Sequence, residues 1–189
     1  MKEKLEKDLQ QLLAKAVEYG ANAAKVVDVP TIKTGAWTRM KCQFGCPNYG
    51  KTLCCPPYAP DYEITQKFLN EYKKAVLVEV VCPFPDNIGP KEFEELDKNV
   101  SGELLKVLLD LERDAFLMNH YRSFALKAGR CRLCPECNLK KCVNPTKARP
   151  SLEACGIDVF ALANDNGFPM EVITGPITEL KIYGLVLVE

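Results

Sequence analysis

Ten cysteines and a single histidine stand in a chain of 189 residues, and eight of the ten cysteines fall in two short islands. The second island reads Cys131-Arg-Leu-Cys134-Pro-Glu-Cys137-Asn-Leu-Lys-Lys-Cys142. Cys-x-x-Cys-x-x-Cys spacing brings three sulfurs round one compact face, matching three corners of an iron–sulfur cube as in bacterial ferredoxin runs. Cys142 is the natural fourth ligand, although in two-cluster ferredoxins the last cysteine of the run serves the other cluster. A tetrahedral zinc site more often takes two Cys-x-x-Cys pairs separated by a longer loop. The spacing points to a 4Fe–4S cluster, with zinc as the alternative.

The first island reads Lys41-Cys42-Gln-Phe-Gly-Cys46-Pro-Asn-Tyr-Gly-Lys-Thr-Leu-Cys54-Cys55-Pro-Pro-Tyr-Ala-Pro60. Cys42-x-x-x-Cys46 matches the opening of a radical-SAM ligand triplet, but no Cys-x-x-Cys follows, so that reading is rejected. Gly45, Gly50 and the prolines suit a tight loop that aims backbone N–H groups at sulfur. Cys42, Cys46 and either Cys54 or Cys55 supply three ligands. Adjacent cysteines seldom both reach one cluster, because consecutive side chains leave the backbone in different directions. A second cluster is expected, against a zinc knuckle or a loop that completes the other site. Cys82 and Cys155 lie in apolar surroundings and read as small buried hydrophobes. Otherwise Cys82, preceding Pro83 as Cys46 precedes Pro47, is the best outside donor for the first island. His120, alone near a helix end, reads as a structural residue.

Cysteine ligands need a reducing compartment, and the composition agrees with one. Apolar residues make up 47% and charged residues 26%, ordinary for a globular protein and excluding disordered, fibrous and coiled-coil chains. The N-terminal Met1-Lys-Glu-Lys-Leu-Glu-Lys-Asp is too charged for a secretory signal. The longest apolar runs, such as Ala75–Leu77 and Leu185–Val188, are too short to span a bilayer. A cytoplasmic protein without a membrane partner is therefore expected, with its thiols reduced and available to metal. The formal net charge is zero, but it is unevenly spread. Residues 29–60 hold four basic residues and no acidic one, and residues 122–150 hold eight basic residues against Glu136 alone. Eight of the ten cysteines lie in those windows, where cations stabilise thiolates. A surface for phosphates or acidic partners is the other reading of the same charges.

Helical spacing of Leu5, Leu9, Leu12, Leu13 and Val17 predicts a helix over residues 3–19, ended by Gly20. Strands are expected at Ala24–Val29, Ala75–Val81, Phe124–Leu126, Met170–Thr174 and Leu180–Val188. Further helices are expected at 61–73, 91–98, 101–121 and 151–163. Residues 38–60 and 130–150 read as loops whose order comes from something other than an apolar core. The expectation is an α+β fold with a mixed or mainly antiparallel sheet packed with helices. It forms one metal-binding domain over 1–189 with cysteine-rich loops at 42–55 and 131–142.

From about residue 38 onward three segments carry a resemblance. The first is Lys-Cys42-x-x-Gly-Cys46-Pro-Asn-Tyr-Gly-Lys followed by Cys55-Pro-Pro-Tyr-Ala-Pro. The second is Cys131-x-Leu-Cys134-x-x-Cys137 followed by Cys142. The third is Ala148-Arg-Pro-Ser-Leu-Glu-Ala-Cys-Gly-Ile-Asp-Val159. In these the chain resembles an uncharacterised prokaryotic family described as predicted metal-binding proteins. The resemblance implies ligation by Cys42, Cys46, Cys55, Cys131, Cys134, Cys137 and Cys142, with Cys54 an extra. Seven cysteines are one short of two four-cysteine sites. Either one site takes a non-cysteine or external fourth ligand, or Cys82, Cys54 or Cys155 fills it.

Three functions compete. The first is an iron–sulfur protein with one or two 4Fe–4S clusters that carries electrons for a redox partner protein in an anaerobic metabolism. The second is an enzyme whose three-cysteine cluster leaves a metal position open to a small-molecule substrate. The third is a zinc-stapled binding module. Nucleic acid is disfavoured, because aromatics are not interleaved with the basic residues and the pI is about 6.6. No acid–base pair stands out, since Glu153 and Asp158 are five apart without evident partners. Asp158 reads as a helix-capping or surface carboxylate, and is the one to test if chemistry exists.

Overall fold

Alternation of apolar side chains along extended segments builds the centre of the molecule. The computed structural model describes residues 2–189. Strands β1 (Ala23–Asp28), β2 (Lys74–Pro83), β3 (Phe124–Leu126) and β4 (Glu179–Leu187) form a sheet in the order β1-β2-β4-β3. Every neighbouring pair is antiparallel. The class is therefore α+β. β2 and β4 pair from Ala75↔Leu187 to Pro83↔Glu179. Successive residues of a strand face opposite sides, so Ala75, Leu77, Leu185 and Leu187 enter one core. Val76, Val78, Val80, Val186 and Val188 enter the other.

Helices α1 (Lys2–Glu18) and α4 (Pro90–Leu117) cover the valine face, through Leu9, Leu12 and Ala16 and through Leu104, Leu108 and Leu111. The opposite face carries α3 (Tyr62–Leu69), α5 (Val159–Asp165) and the turns at 151–157, which insert Leu152, Cys155 and Ile157. Helix α2 (Ala36–Gly45) belongs to neither core and buries Thr38 alone. His120 is buried between α1 and the chain end, with Nε2 3.1 Å from Asp8 Oδ2 and Nδ1 3.5 Å from Glu189 Oε2. It lines neither of the two cysteine-bearing cavities.

Four segments differ from the sequence-based expectation. The two helices at 91–98 and 101–121 are one helix of 28 residues. Ser101 is no helix start: it is buried, and its Oγ faces Asp97 Oδ1 on the preceding turn at 3.5 Å. Residues 36–45, expected to open a loop, are helical, and Cys42 rides on that helix. Residues 151–157 are a string of turns, with the helix beginning only at Val159 and capped by Asp158, whose Oδ1 accepts from Ala161 N–H at 2.9 Å. Met170–Thr174 is not a strand, and Val172 and Ile173 are exposed.

Candidate metal centres

All ten cysteines are free thiols. Cys155 is buried in the core beneath the sheet, where burial pushes its thiol up to about 12. Cys82 packs at the edge of the other core, on β2. Neither lines the two cysteine-bearing cavities described next.

The remaining eight sort into two groups. Cys54, Cys131, Cys134, Cys137 and Cys142 line one cavity of about 330 Å³. Cys42, Cys46 and Cys55 line a second of about 320 Å³. Adjacent Cys54 and Cys55 thus face different cavities, so the first island contributes to both. Arg130 is a wall common to the two. Among the described residues, no group of three or more His, Cys, Asp or Glu side chains is gathered closely enough to hold a single metal ion.

The five-cysteine cavity has the surroundings that sulfur ligands need. Cys54 and Cys131 lie close enough to shift one another, Cys54 up and Cys131 down, and the Leu133 backbone and the Lys127 charge lower Cys131 further against its burial. Asn144 Nδ2 donates to Cys134 Sγ at 3.1 Å. Donors of this kind favour the thiolate over the thiol. Five sulfurs line one half-buried cavity, one of them receiving a hydrogen bond, and are the donor type an iron–sulfur cluster takes, although they are not gathered closely enough for a single ion.

Lys127 was counted in the sequence only as part of a basic window, yet it is 2% exposed. Its ammonium donates to the carbonyls of Ala128, Gly129 and Arg130 at 2.5, 3.0 and 2.8 Å. Those three hydrogen bonds fold the chain back just before Cys131. Burial pushes the Lys127 pKa down, while the nearby Cys131, Glu153, Cys54 and Cys55 hold it up. One cation therefore sits within electrostatic reach of both cysteine groups.

Three arginines of the second basic window are spent on α4. Arg132 pairs with Asp97, Arg149 with Glu112, and Arg130 lies 3.5 Å from Glu94. They clasp the cysteine loop to the helix, which leaves less free positive charge for a phosphate backbone than the sequence suggested. Lys140, Lys141 and Lys147 remain exposed.

The three-cysteine cavity is built differently. Cys42 comes from α2, and Cys46 is that helix's C-cap, its backbone N–H bonded to the Cys42 carbonyl. Cys55 lies in the following loop. Arg39, also on α2, donates to the Ala59, Pro60 and Ala154 carbonyls, fastening the helix to the segments beside Cys55 and Glu153. The turns at 151–157 are tied on by Gly35 N–H to Gly156 O at 2.8 Å and by Leu152 N–H to Lys127 O at 2.9 Å. Burial and the charges of Cys46, Glu153 and Cys55 raise the Cys42 thiol. Cys42, Cys46 and Glu153 also edge a larger, mainly apolar cavity of about 840 Å³ lined by Trp37, Met40, Phe44, Phe160 and Met170.

No curated protein and no solved structure matched the chain. A family model described as "Predicted metal-binding protein (DUF2284)" matches residues 25–188, a span that contains both islands and all four strands but for the first two residues of β1. The chain belongs to this family of predicted metal-binding proteins.

Proposed function

We propose that the protein is an iron–sulfur protein of electron transfer, with a four-iron cluster at the second island and a second metal centre on Cys42, Cys46 and Cys55. The observation that carries this reading is the division of eight cysteines from two distant islands into two cavities with a common wall. Cys131, Cys134, Cys137 and Cys142 hold the first cluster, in keeping with their spacing. Cys54 lines the same cavity beside Cys131. When bound, such a cluster supplies a one-electron carrier whose potential follows from charge, burial and hydrogen bonds to its sulfurs. Asn144, Cys54, the Leu133 backbone and Lys127 all stabilise negative charge on sulfur and so favour the reduced state. The exposed Leu139 and Val143, with Lys140 and Lys141 beside them, suit brief docking of an acidic redox partner.

A comparison of two cysteines tests the assignment. Cys134→Ser, purified without oxygen, loses about four irons, one cluster's complement, together with their acid-labile sulfide. Cys155→Ser loses none. Equal losses, or none from Cys134→Ser, would overturn the reading.

A second reading has one observation of its own. The apolar cavity opens beside a site with three cysteines instead of four, as an enzyme would need if a small apolar substrate met an open metal position.

A further inference from the structure

The three-cysteine cavity contains a group that cysteine spacing could not reveal. Glu153 lines both that cavity and the adjoining apolar one. Its Oε2 is shut off from solvent and has no hydrogen-bond partner among the described residues. Burying a carboxylate oxygen without a partner is costly, and the nearby cations do not relieve it. Each of the three N–H groups of the Lys127 ammonium is directed at a backbone carbonyl. The Arg39 guanidinium faces the Ala59, Pro60 and Ala154 carbonyls. Arg132 is paired with Asp97. Cys42 meanwhile feels the charges of Cys46, Cys55 and Glu153 together. Four groups that are anionic as ligands thus converge in one half-buried space whose wall also carries Arg130 and Arg132, and no hydrogen bond from any of these cations reaches Glu153 Oε2.

A bound metal centre resolves that convergence. We propose that Glu153 is the fourth protein ligand of the centre held by Cys42, Cys46 and Cys55. The inference rests on the reading that the first island holds a metal centre. Three thiolates and a carboxylate carry the same charge as four thiolates, so a four-iron cluster keeps its overall charge. The oxygen-bound iron differs from its three sulfur-bound neighbours, because carboxylate oxygen is a harder ligand than thiolate. Glu153 edges the apolar cavity together with Cys42 and Cys46, so a small molecule entering there would reach the most exchangeable metal position.

The test compares Cys42→Ser, Glu153→Ala and Glu153→Cys with the unaltered full chain, all purified without oxygen. Iron and sulfide are counted per chain, and spectra are taken by electron paramagnetic resonance. Iron retained at the second island serves in each variant as the control for folding. Cys42→Ser is expected to lose the whole first centre. Glu153→Ala should keep about three of its roughly four irons and give a three-iron signal after oxidation with ferricyanide, and Glu153→Cys should restore the fourth iron. A Glu153→Ala protein with full iron and no three-iron signal, beside a Cys42→Ser protein lacking the centre, would overturn the role of Glu153 and leave the centre standing. No metal loss from Cys42→Ser would remove the centre itself. If the first site holds zinc, Glu153→Ala should release it to a chelator about tenfold faster or more, and an unchanged rate would overturn the proposal.

Discussion

Lys127 shows how one residue serves two sites. Its buried ammonium closes the Ala128–Arg130 turn and lies within reach of the charges of Cys131, Cys54, Cys55 and Glu153. Lys127→Met keeps the length of the side chain and removes both the three hydrogen bonds and the charge. Reduction adds negative charge that Lys127 no longer offsets, so the midpoint potential of the second-island cluster should fall by tens of millivolts. A redox titration of both proteins checks it, and an unchanged potential would contradict the electrostatic role. At this scale the chemistry was half legible. The spacing Cys131-x-x-Cys134-x-x-Cys137 announces a metal site by itself. That Cys54 and Cys55 part company was foreshadowed by the divergence of consecutive side chains, but which cavity each joins depends on tertiary placement. Lys127 and Glu153 carry no local signal, because burial of a charged side chain is decided by what folds over it.

At the scale of elements, the turns at 151–157 do the positioning. Ala154, Ile157 and Phe160 have helical spacing, and a helix was expected there. Instead the backbone turns at Gly156 with φ +86°, and a Cβ at that position would come within 2.5 Å of Tyr62 Cβ on α3. Gly156→Ala should cost roughly 2–4 kcal/mol, from positive φ plus the clash. Because Gly156 O holds Gly35 at the head of α2, the same change should also loosen the first centre. Denaturant unfolding measures the first effect and iron content the second; a loss under about 1 kcal/mol would mean that the turn relaxes freely. The helix α2 had a signal that went unused: Trp37, Met40 and Phe44 recur at helical spacing, but they face outward, at 46%, 54% and 74% exposure. Polar residues Asp97 to Asn99 and Ser101 suggested a break in α4, yet Val100, Leu104, Leu108, Leu111 and Ala115 hold one apolar stripe through it. Apart from Met170–Thr174, the strands were easier to place, since β2 and β4 are apolar runs buried on both faces.

Over the whole molecule, the sheet is a platform with α1 and α4 on one face and the second cysteine loop clasped along α4 between Glu94 and Glu112. Two carboxylates hold the α1–α4 side together. Asp8 is drawn below its ordinary pKa by Lys4 and His120. Burial pushes Asp114 up, but hydrogen bonds from Lys15 and Tyr19 more than offset it and bring it down. A folded-state pKa below the unfolded value of about 4 gives stability that is present above that pH and lost as the pH falls through the folded value. Asp114→Asn should therefore be less stable than the unaltered chain at pH 7 by about 1 kcal/mol. The gap should close as the pH is lowered through 4 toward 3. Both chains have the same cysteine islands, so acid damage to anything bound there cancels in the comparison, and a gap that stays constant with pH would contradict the ionic role.

The central claim is that eight cysteines gathered in two neighbouring cavities hold iron–sulfur clusters. Iron, zinc and acid-labile sulfide per chain, measured on protein purified without oxygen, test it most directly. The account predicts about eight irons with matching sulfide, for two four-iron clusters. Zinc without sulfide would contradict it.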